Sequence, residues 1–589
     1  MSALNPLSAN PSSNASQPGP IGAGGAGQPP QSRVGVGSAA WRRALAPRLL
    51  ASAQRCNGLG GLILAALLSL GFACWMYSPD YLLGTAATWQ QQGGDVSQYL
   101  AGFNAFVREP WHWPLFRIES LNYPEGTIVT FVDAIPLYAV LVKLFHHGPG
   151  VGFWNPYGVW IALCYVLQGV GCWWICREAR VKSWTALAAL ALLLAAFPAL
   201  THRAGHISLM SQWLLLFAFA VYLRGTRQRA LAGAWWIGLL FCAFYINIYL
   251  FCMATVIFLA DVARHLKPGH ARHAVLTVIG FGCLLGASLF LTMLPLGGSA
   301  GAREWGFGYY SMNLLSPFAG GRLILWPHPT VHGGQGEGFN YIGVFALGLF
   351  AWALRLQKRH APAFWSRHGF LLLAITLMAL YAPSNLVHVG EVRLFDWGLP
   401  EWTLPITSQL RASGRFFWPA GYAVIVFAVL MVQRYGRARW STLVLCAVVL
   451  FQFWDLKAQH LQARANAHEA RPVLLDEAQW DAFLGPGTTT LNFYPVFRCG
   501  KAAANETLLP AMLYASKRKL NMTTGYLSRV ARPCDQLEKE IANAKGPGDA
   551  FVFARNEFPE QARVLTLLGG EQAAHCVEAG AFFLCKRRH

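Results

Sequence analysis

Three short stretches carry the side chains that could do chemistry. In GGDVSQY, Asp95 follows a glycine pair and opens an amphipathic run. A carboxylate there could take a proton from a substrate hydroxyl, or hold a divalent cation such as Mg or Mn. It could equally cap the helix that begins beside it. In PITSQLRASGRFFWP, Arg411 and Arg415 stand four residues apart, so a helix would put both on one face. Two forked guanidiniums suit a phosphate, and the competing use is to snorkel toward lipid headgroups. The turn THRAGHIS offers His202, Arg203 and His206. These could hold a second phosphate oxygen or steady a leaving group, or merely cap and solvate a helix end. His202 and His206 also have the spacing of zinc ligands, but no further ligand cluster accompanies them.

Gln98, Tyr99 and Asp133, with Glu337 and Asn340 of GQGEGFNYIG, complete the set expected to contact substrate. The glycines of that last motif point to a tight loop. Glu391, Arg393 and Asp396 in HVGEVRLFDWG rank below them. Trp111 and Trp113 in EPWHWP fit the aromatic belt of a membrane interface, with sugar stacking as a second use.

The elements that position these groups are membrane helices. Of 589 residues, 54% are hydrophobic and 13% charged, about half the charge of a soluble domain. The apolar runs are continuous rather than short and alternating, which excludes a β-barrel. A net charge of +20 would raise nucleic acid as a partner in a soluble protein. Here the basic residues fill short connectors: Arg177, Arg180, Lys182; Arg224, Arg227, Arg229; Arg264, Lys267, Arg272; Arg355, Lys358, Arg359, Arg367; Arg434, Arg437, Arg439. That is the pattern of cytoplasmic loops, and no basic–aromatic binding motif is present, so no nucleic-acid partner is expected.

The candidate spans are Leu59–Tyr77, Val159–Cys176, Trp184–Leu200, Ile207–Leu223, Leu231–Phe244, Ile248–Val262, Ala274–Leu294, Ile342–Leu354, Phe370–Tyr381, Phe416–Val432 and Trp440–Trp454. A twelfth apolar stretch, Phe131–Phe145, contains Asp133, Pro136 and Lys143. Charges make it a poor span. If it only dips into the membrane, every basic connector falls on the inside. The expectation is an all-α polytopic membrane bundle of about eleven crossings plus one partial membrane segment.

Residues 1–40, rich in Gly, Ser, Pro and Ala, read as a disordered cytoplasmic tail. Arg42, Arg43, Arg48 and Arg55 keep it inside, and no cleavage site follows, so the first span is an uncleaved anchor. Residues 41–456 form the transmembrane domain, with a first outer loop over 79–130. Two more outer segments are Pro295–Tyr341 and Ala382–Arg415. Beyond Pro472 the charge density becomes ordinary, and TTTLNFY, DAFVFAR and AFFLCKR read as strands with PAMLYASKR as a helix. Residues 472–589 are therefore expected to be a small soluble α/β domain on the outer side of the membrane; the resemblance described below makes that the periplasmic side of a bacterial inner (cytoplasmic) membrane. Cys499, Cys534, Cys576 and Cys585 all lie there, an even number that suits an oxidising compartment. Three pairings are open, with Cys499–Cys534 and Cys576–Cys585 favoured over free thiols.

The cytoplasmic N-terminus, the Asp just past the first span in GGDVSQY, the long amphipathic first loop and the soluble C-terminal domain resemble the GT-C class of integral-membrane glycosyltransferases. The stretch from Gly93 to Leu137, with RAGHISLMSQW and LRASGRFFWP, is similar to a group of bacterial polytopic proteins that are GT-C-like. The resemblance covers roughly Leu59 to Asp455 and is architectural more than motif-level. It implies transfer of a sugar from a polyprenyl-phosphate donor to a glycan, lipid or protein acceptor on the outer face of the membrane. It also implies Asp95 as base or metal ligand, and Arg411, Arg415 and Arg203 on the lipid phosphate, with the first-loop helices covering the site. One departure is evident. Members of the class often carry a second acid beside the first-loop Asp, whereas Asp95 is followed by Val96. Two other functions fit the same architecture: a non-catalytic envelope-assembly protein that binds partners through its soluble domain, and a transporter of a lipid-linked substrate that uses Asp133 and Lys143.

Overall fold

The computed structural model describes residues 56–90, 94–295, 304–324, 330–469, 473–500, 507–528 and 533–588. The N-terminal tail and Arg42, Arg43, Arg48 and Arg55 lie outside these residues.

A helix occupies each of the eleven apolar segments. Six are long and apolar enough to cross a membrane: Leu59–Met76, Tyr157–Glu178, Ile207–Gln228, Ile248–His265, Ala271–Thr292 and Ser413–Tyr435. A seventh arises if Ala438–Asp455 and Lys457–His468, bent by 56°, act as one span. Trp184–Ala195, Gly233–Phe244 and Gly369–Tyr381 are shorter apolar helices. The first of these begins at Ser183, whose hydroxyl accepts from the Ala186 amide at 3.2 Å, and it gives way to a separate turn at Pro198. A Cβ on Gly169 would lie 2.3 Å from the Ala65 carbonyl oxygen, so Leu59–Met76 and Tyr157–Glu178 meet backbone to backbone, as small residues allow in membranes.

The connectors rich in Arg gather at one end of the bundle. Glu178, whose side chain is buried, pairs with Arg227 at 2.7 Å and Arg224 at 3.3 Å. Asp261 is bound by Arg264 and by the Trp236 indole at 2.9 Å. Tyr222 lies 3.0 Å from His368, and His360 stacks on Tyr435. The candidate catalytic residues sit at the other end.

The awkward stretch Phe131–Phe145 is not one element. A 3-10 turn over Val129–Val132 leads into Asp133 and Ile135, both with left-handed φ (55° and 52°), and then into the helix Pro136–Phe145. Ten residues rise about 15 Å, half a hydrocarbon core. Lys143 is buried, donates to the Pro110 carbonyl at 3.1 Å and lies over the rings of Phe106 and Trp111.

The C-terminal part carries a five-stranded sheet in the order β6-β5-β7-β9-β8: β5 Thr490–Tyr494, β6 Asn521–Met522, β7 Asp549–Ala554, β8 Ala574–Ala579 and β9 Phe582–Arg587. β5 runs parallel to β6 and β7, while β9 is antiparallel to β7 and β8. The disulfides are Cys499–Cys534 and Cys576–Cys585, the latter joining directly opposed residues of β8 and β9. The other nine cysteines are free.

This sheet is not separate from the first loop. The loop's own small ladder, β1 Arg117–Ile118 with β2 Thr127–Ile128, flanks Leu121, which bridges in parallel to Met522 of β6. The Met522 amide donates to Ser120 at 2.8 Å, and the Tyr123 amide donates to Met522 at 3.0 Å. The helix Asp95–Arg108 packs on Leu508–Arg518, where Arg108 donates to the Ser516 hydroxyl at 2.9 Å. The loop thus covers one edge of the sheet, and the sheet domain backs the helix that starts with Asp95.

Candidate functional site

The helix Asp95–Arg108 is capped by Gly94, at φ +88°. Asp95 is therefore not the capping residue: it is the first residue of the helix, and its carboxylate is turned elsewhere. Oδ2 lies 2.8 Å from His206 Nδ1. The opposite ring nitrogen, Nε2, lies 3.2 Å from Glu337 Oε1. The imidazole is clasped between two carboxylates. Burial opposes its charge, but the hydrogen bonds and charges of Asp95 and Glu337 outweigh that and push its pKa up to about 9. At neutral pH His206 is an imidazolium that donates from both nitrogens.

Glu337 is the hub. Its Oε2 accepts from Arg203 Nη1 at 2.7 Å and from Arg415 Nε and Nη2, each at 2.8 Å. Burial works against this carboxylate, yet Arg203, Arg415 and His206 hold its pKa well below the usual range. Arg203 also donates to the backbone carbonyls of Gly336 and Glu337, and it lies against Trp418. Arg415 stacks on Tyr249, 4.6 Å from the ring centroid.

The loop that carries Glu337 is pressed against the segment that carries Arg415. Asn340, fully buried, donates to the carbonyls of Gly338 and Gly414, at 3.0 and 2.9 Å. A Cβ on Gly414 would lie 2.5 Å from the Gly338 Cα. This explains Gly338 and Gly414: two backbones touch so that a carboxylate can reach a guanidinium. Gly414→Ala is expected to part the loops and lower the unfolding temperature. A midpoint unchanged from wild type would show that the contact is dispensable.

Asp133 supplies a second exposed carboxylate. It is open to solvent but sits deep in the protein mass. That desolvation, then the charge of Asp95, push its pKa up to about 6, against the pull of His206, Arg415 and Arg411. Its turn is held from behind, because the Phe131 carbonyl accepts from the Ser528 amide at 2.9 Å and the Gln98 amide at 3.4 Å.

The other expected residues fall into two groups. Arg411 is close enough to act on Asp133, but it donates to the Trp305 carbonyl at 3.1 Å and lies 3.9 Å from Glu304 and over Tyr310. It does not share a helix face with Arg415. Residues 411–412 are irregular and Ser413–Phe417 is a 3-10 turn, so the four-residue spacing joins them only in space. Gln98 and Asn340 hold backbone: Gln98 donates to the Tyr526 carbonyl at 2.7 Å. Tyr99 is buried, with its hydroxyl 3.2 Å from Ser208, which in turn accepts from Asn247. His202 stands off the network, with Nδ1 3.0 Å from the Pro198 carbonyl and its ring against Phe339. Sequence reasoning missed Trp418, Tyr310 and Tyr249, which lie against Arg203, Arg411 and Arg415. An aromatic far from its cation in sequence carries no local mark of that role.

Among the described residues, no group of three or more His, Cys, Asp or Glu side chains is arranged to hold a metal ion. Asp95, the expected ligand, is already engaged by a cationic ring. The donor set does not fit a divalent cation.

Fold and site together define a polytopic helical membrane protein with an ion-pair network at one end of its bundle and a small sheet domain against it. Residues 66–457 match the family model described as Domain of unknown function (DUF6311), and residues 479–587 match the DUF6311 C-terminal domain. The chain belongs to the DUF6311 family. No match is found among curated proteins.

Proposed function

We propose that this protein is a GT-C-like membrane glycosyltransferase, with the eleven helical segments as crossings and the network end facing the periplasm. It would move a sugar from a polyprenyl-phosphate donor to an acceptor hydroxyl. The carrying observation is convergence. Asp95, Asp133, Arg203, His206, Glu337, Arg411 and Arg415 come from four separate connectors, yet all interact at one end of the bundle. With Glu304 beside Arg411 and its second partner Arg498 included, five cations face four carboxylates, which leaves one positive charge for a phosphate. The disulfides of the adjoining domain support an oxidising compartment at that end.

The chemistry divides between the two first-loop acids. Asp133, with its pKa raised toward neutrality, takes the proton from the acceptor hydroxyl. The oxygen then bonds to the anomeric carbon as the bond from that carbon to the phosphate oxygen breaks. Charge gathers on the departing polyprenyl phosphate, where Arg411, Arg415 and the His206 imidazolium lie. Asp95 and Glu337 keep His206 charged and fixed, and Arg203 holds Glu337. Asp133 thereby supplies the second acid that the residue after Asp95 does not.

The test is donor consumption by the full-length protein in membranes, using a radiolabelled polyprenyl-phosphate sugar. Asp95→Asn keeps an acceptor for His206 Nδ1–H but loses the charge, worth about 1.5–3 kcal/mol. Turnover is expected to slow by about one to two orders of magnitude. Full turnover in that variant, or no donor consumed by the wild type across sugar classes, removes the proposal.

A further inference from the structure

The connector Ala382–Arg415, which ends in the two arginines, begins with a hairpin that is unlike the rest of the molecule. β3 Leu386–Val389 and β4 Val392–Asp396 are joined by Gly390-Glu391, with Gly390 at φ +57° as a tight hairpin turn requires. β3 is anchored. Its His388 accepts from Gln335 at 3.2 Å, two residues before Glu337, and Asn313 exchanges hydrogen bonds with Gly390 at 2.8 and 3.0 Å. β4 is not: all five of its residues are exposed. Val392, Leu394, Phe395 and Trp397 stand in solvent, followed by Trp402 (77% exposed) and Ile406. A monomeric soluble surface rarely shows so continuous an apolar run.

The neighbouring helix shows what covers it. Gly369–Tyr381 exposes Phe370, Leu373, Leu377 and Leu380, a stripe at helical spacing on one face. A helix apolar on its exposed side faces lipid. In sequence, that stripe ends at Leu380, six residues before β3, and the exposed apolar run of the hairpin follows it. Tryptophans are enriched where a membrane protein meets the headgroup layer. Arg393 and Asp396 pair at 2.8 Å, while the exposed acids Glu391, at the hairpin tip, and Glu401, beside Trp402, restrict the segment to the headgroup and upper acyl layer rather than the hydrocarbon centre.

We propose that β4 with Trp397, Trp402 and Ile406 is a lipid-docking strap, seated in the headgroup and upper acyl layer of the leaflet at the network end. Its occupant is the bilayer surface, not a protein. The strap would anchor the connector that presents Arg411 and Arg415 and, through His388 and Gln335, brace the Glu337 loop. It stands apart from the sugar-transfer reading, because it requires only that the helices be embedded.

A polarity-sensitive fluorescent amino acid at position 402 of the full-length protein tests this in nanodiscs of phosphatidylethanolamine and phosphatidylglycerol. The same probe at position 571, an exposed residue of the C-terminal domain, gives the water reference. Emission at 402 is expected to be blue-shifted from that reference and quenched by lipid carrying a nitroxide on its headgroup. Emission matching the reference, with no quenching, overturns the proposal. So does a blue shift without quenching, which would mean a protein surface or a second copy covers the strap. Position 394 is the second site should the probe at 402 prevent folding.

Discussion

Glu337→Gln is expected to destabilise the protein by about 3–5 kcal/mol, the range for removing one partner of a buried ion pair. The amide would leave Arg203 and Arg415 facing each other without the charge between them, and Arg203 is almost fully buried. It would also take one of the two carboxylates from His206. The measurement is the unfolding midpoint in detergent or nanodiscs, compared with Glu337→Asp. A midpoint within error of wild type would show that the arginines are held by something other than this carboxylate. The pH dependence has a fixed sign. The pKa of His206 is raised from 6.5 to about 9, so its contribution is complete below 6.5 and is lost as pH rises through about 9. In Glu337→Gln that loss should come at lower pH.

Asp133→Asn is expected to do the opposite to stability and the most to turnover. General-base catalysis contributes about 10²–10⁴-fold, and transfer should fall by that factor. The fold does not favour the ionised Asp133 carboxyl. Its pKa rises from 3.8 to about 6, so its contribution favours the fold below 3.8 and is lost as pH rises through about 6. A neutral amide avoids this, and the midpoint at neutral pH should hold or rise. Wild-type transfer should climb as pH passes about 6 and decline near 9, when His206 loses its proton. Loss of turnover with a lowered midpoint would mark Asp133 as structural. An unchanged acid limb in a still active variant would move the base elsewhere.

Much of this was legible in the residues. Long apolar runs report helices because burial in lipid leaves the backbone no other partner. The basic connectors reported which helix ends cluster, and they do cluster around Glu178 and Asp261. Asp95, Arg203, His206, Glu337 and Arg415 stood out because a charge beside an apolar run is costly without a partner. Which partner each takes could not be read. Glu337 was one of five expected substrate contacts and is instead the junction of two arginines and a histidine. The spacing of Arg411 and Arg415 suggested a helix, but residues 411–412 are irregular and Ser413–Phe417 is a 3-10 turn. Asp133 was read as lying in a segment that only dips into the membrane, because nothing local shows a turn braced from residue 528. Six helices are long enough to cross where about eleven were expected. The shortfall comes from breaks such as Pro198 and from helices whose apolar runs continue as turns.

The bond from Gln98 to Tyr526 spans 428 positions, and that from Ser528 to Phe131 spans 397. A ribosome making this chain will have released every helix of the bundle before either bond can form. Until then the turn that carries Asp133 lacks its brace, and the edge of β6 lacks its cover. The growing polypeptide thus carries Asp133 on an unbraced turn until the C-terminal sheet domain has been made.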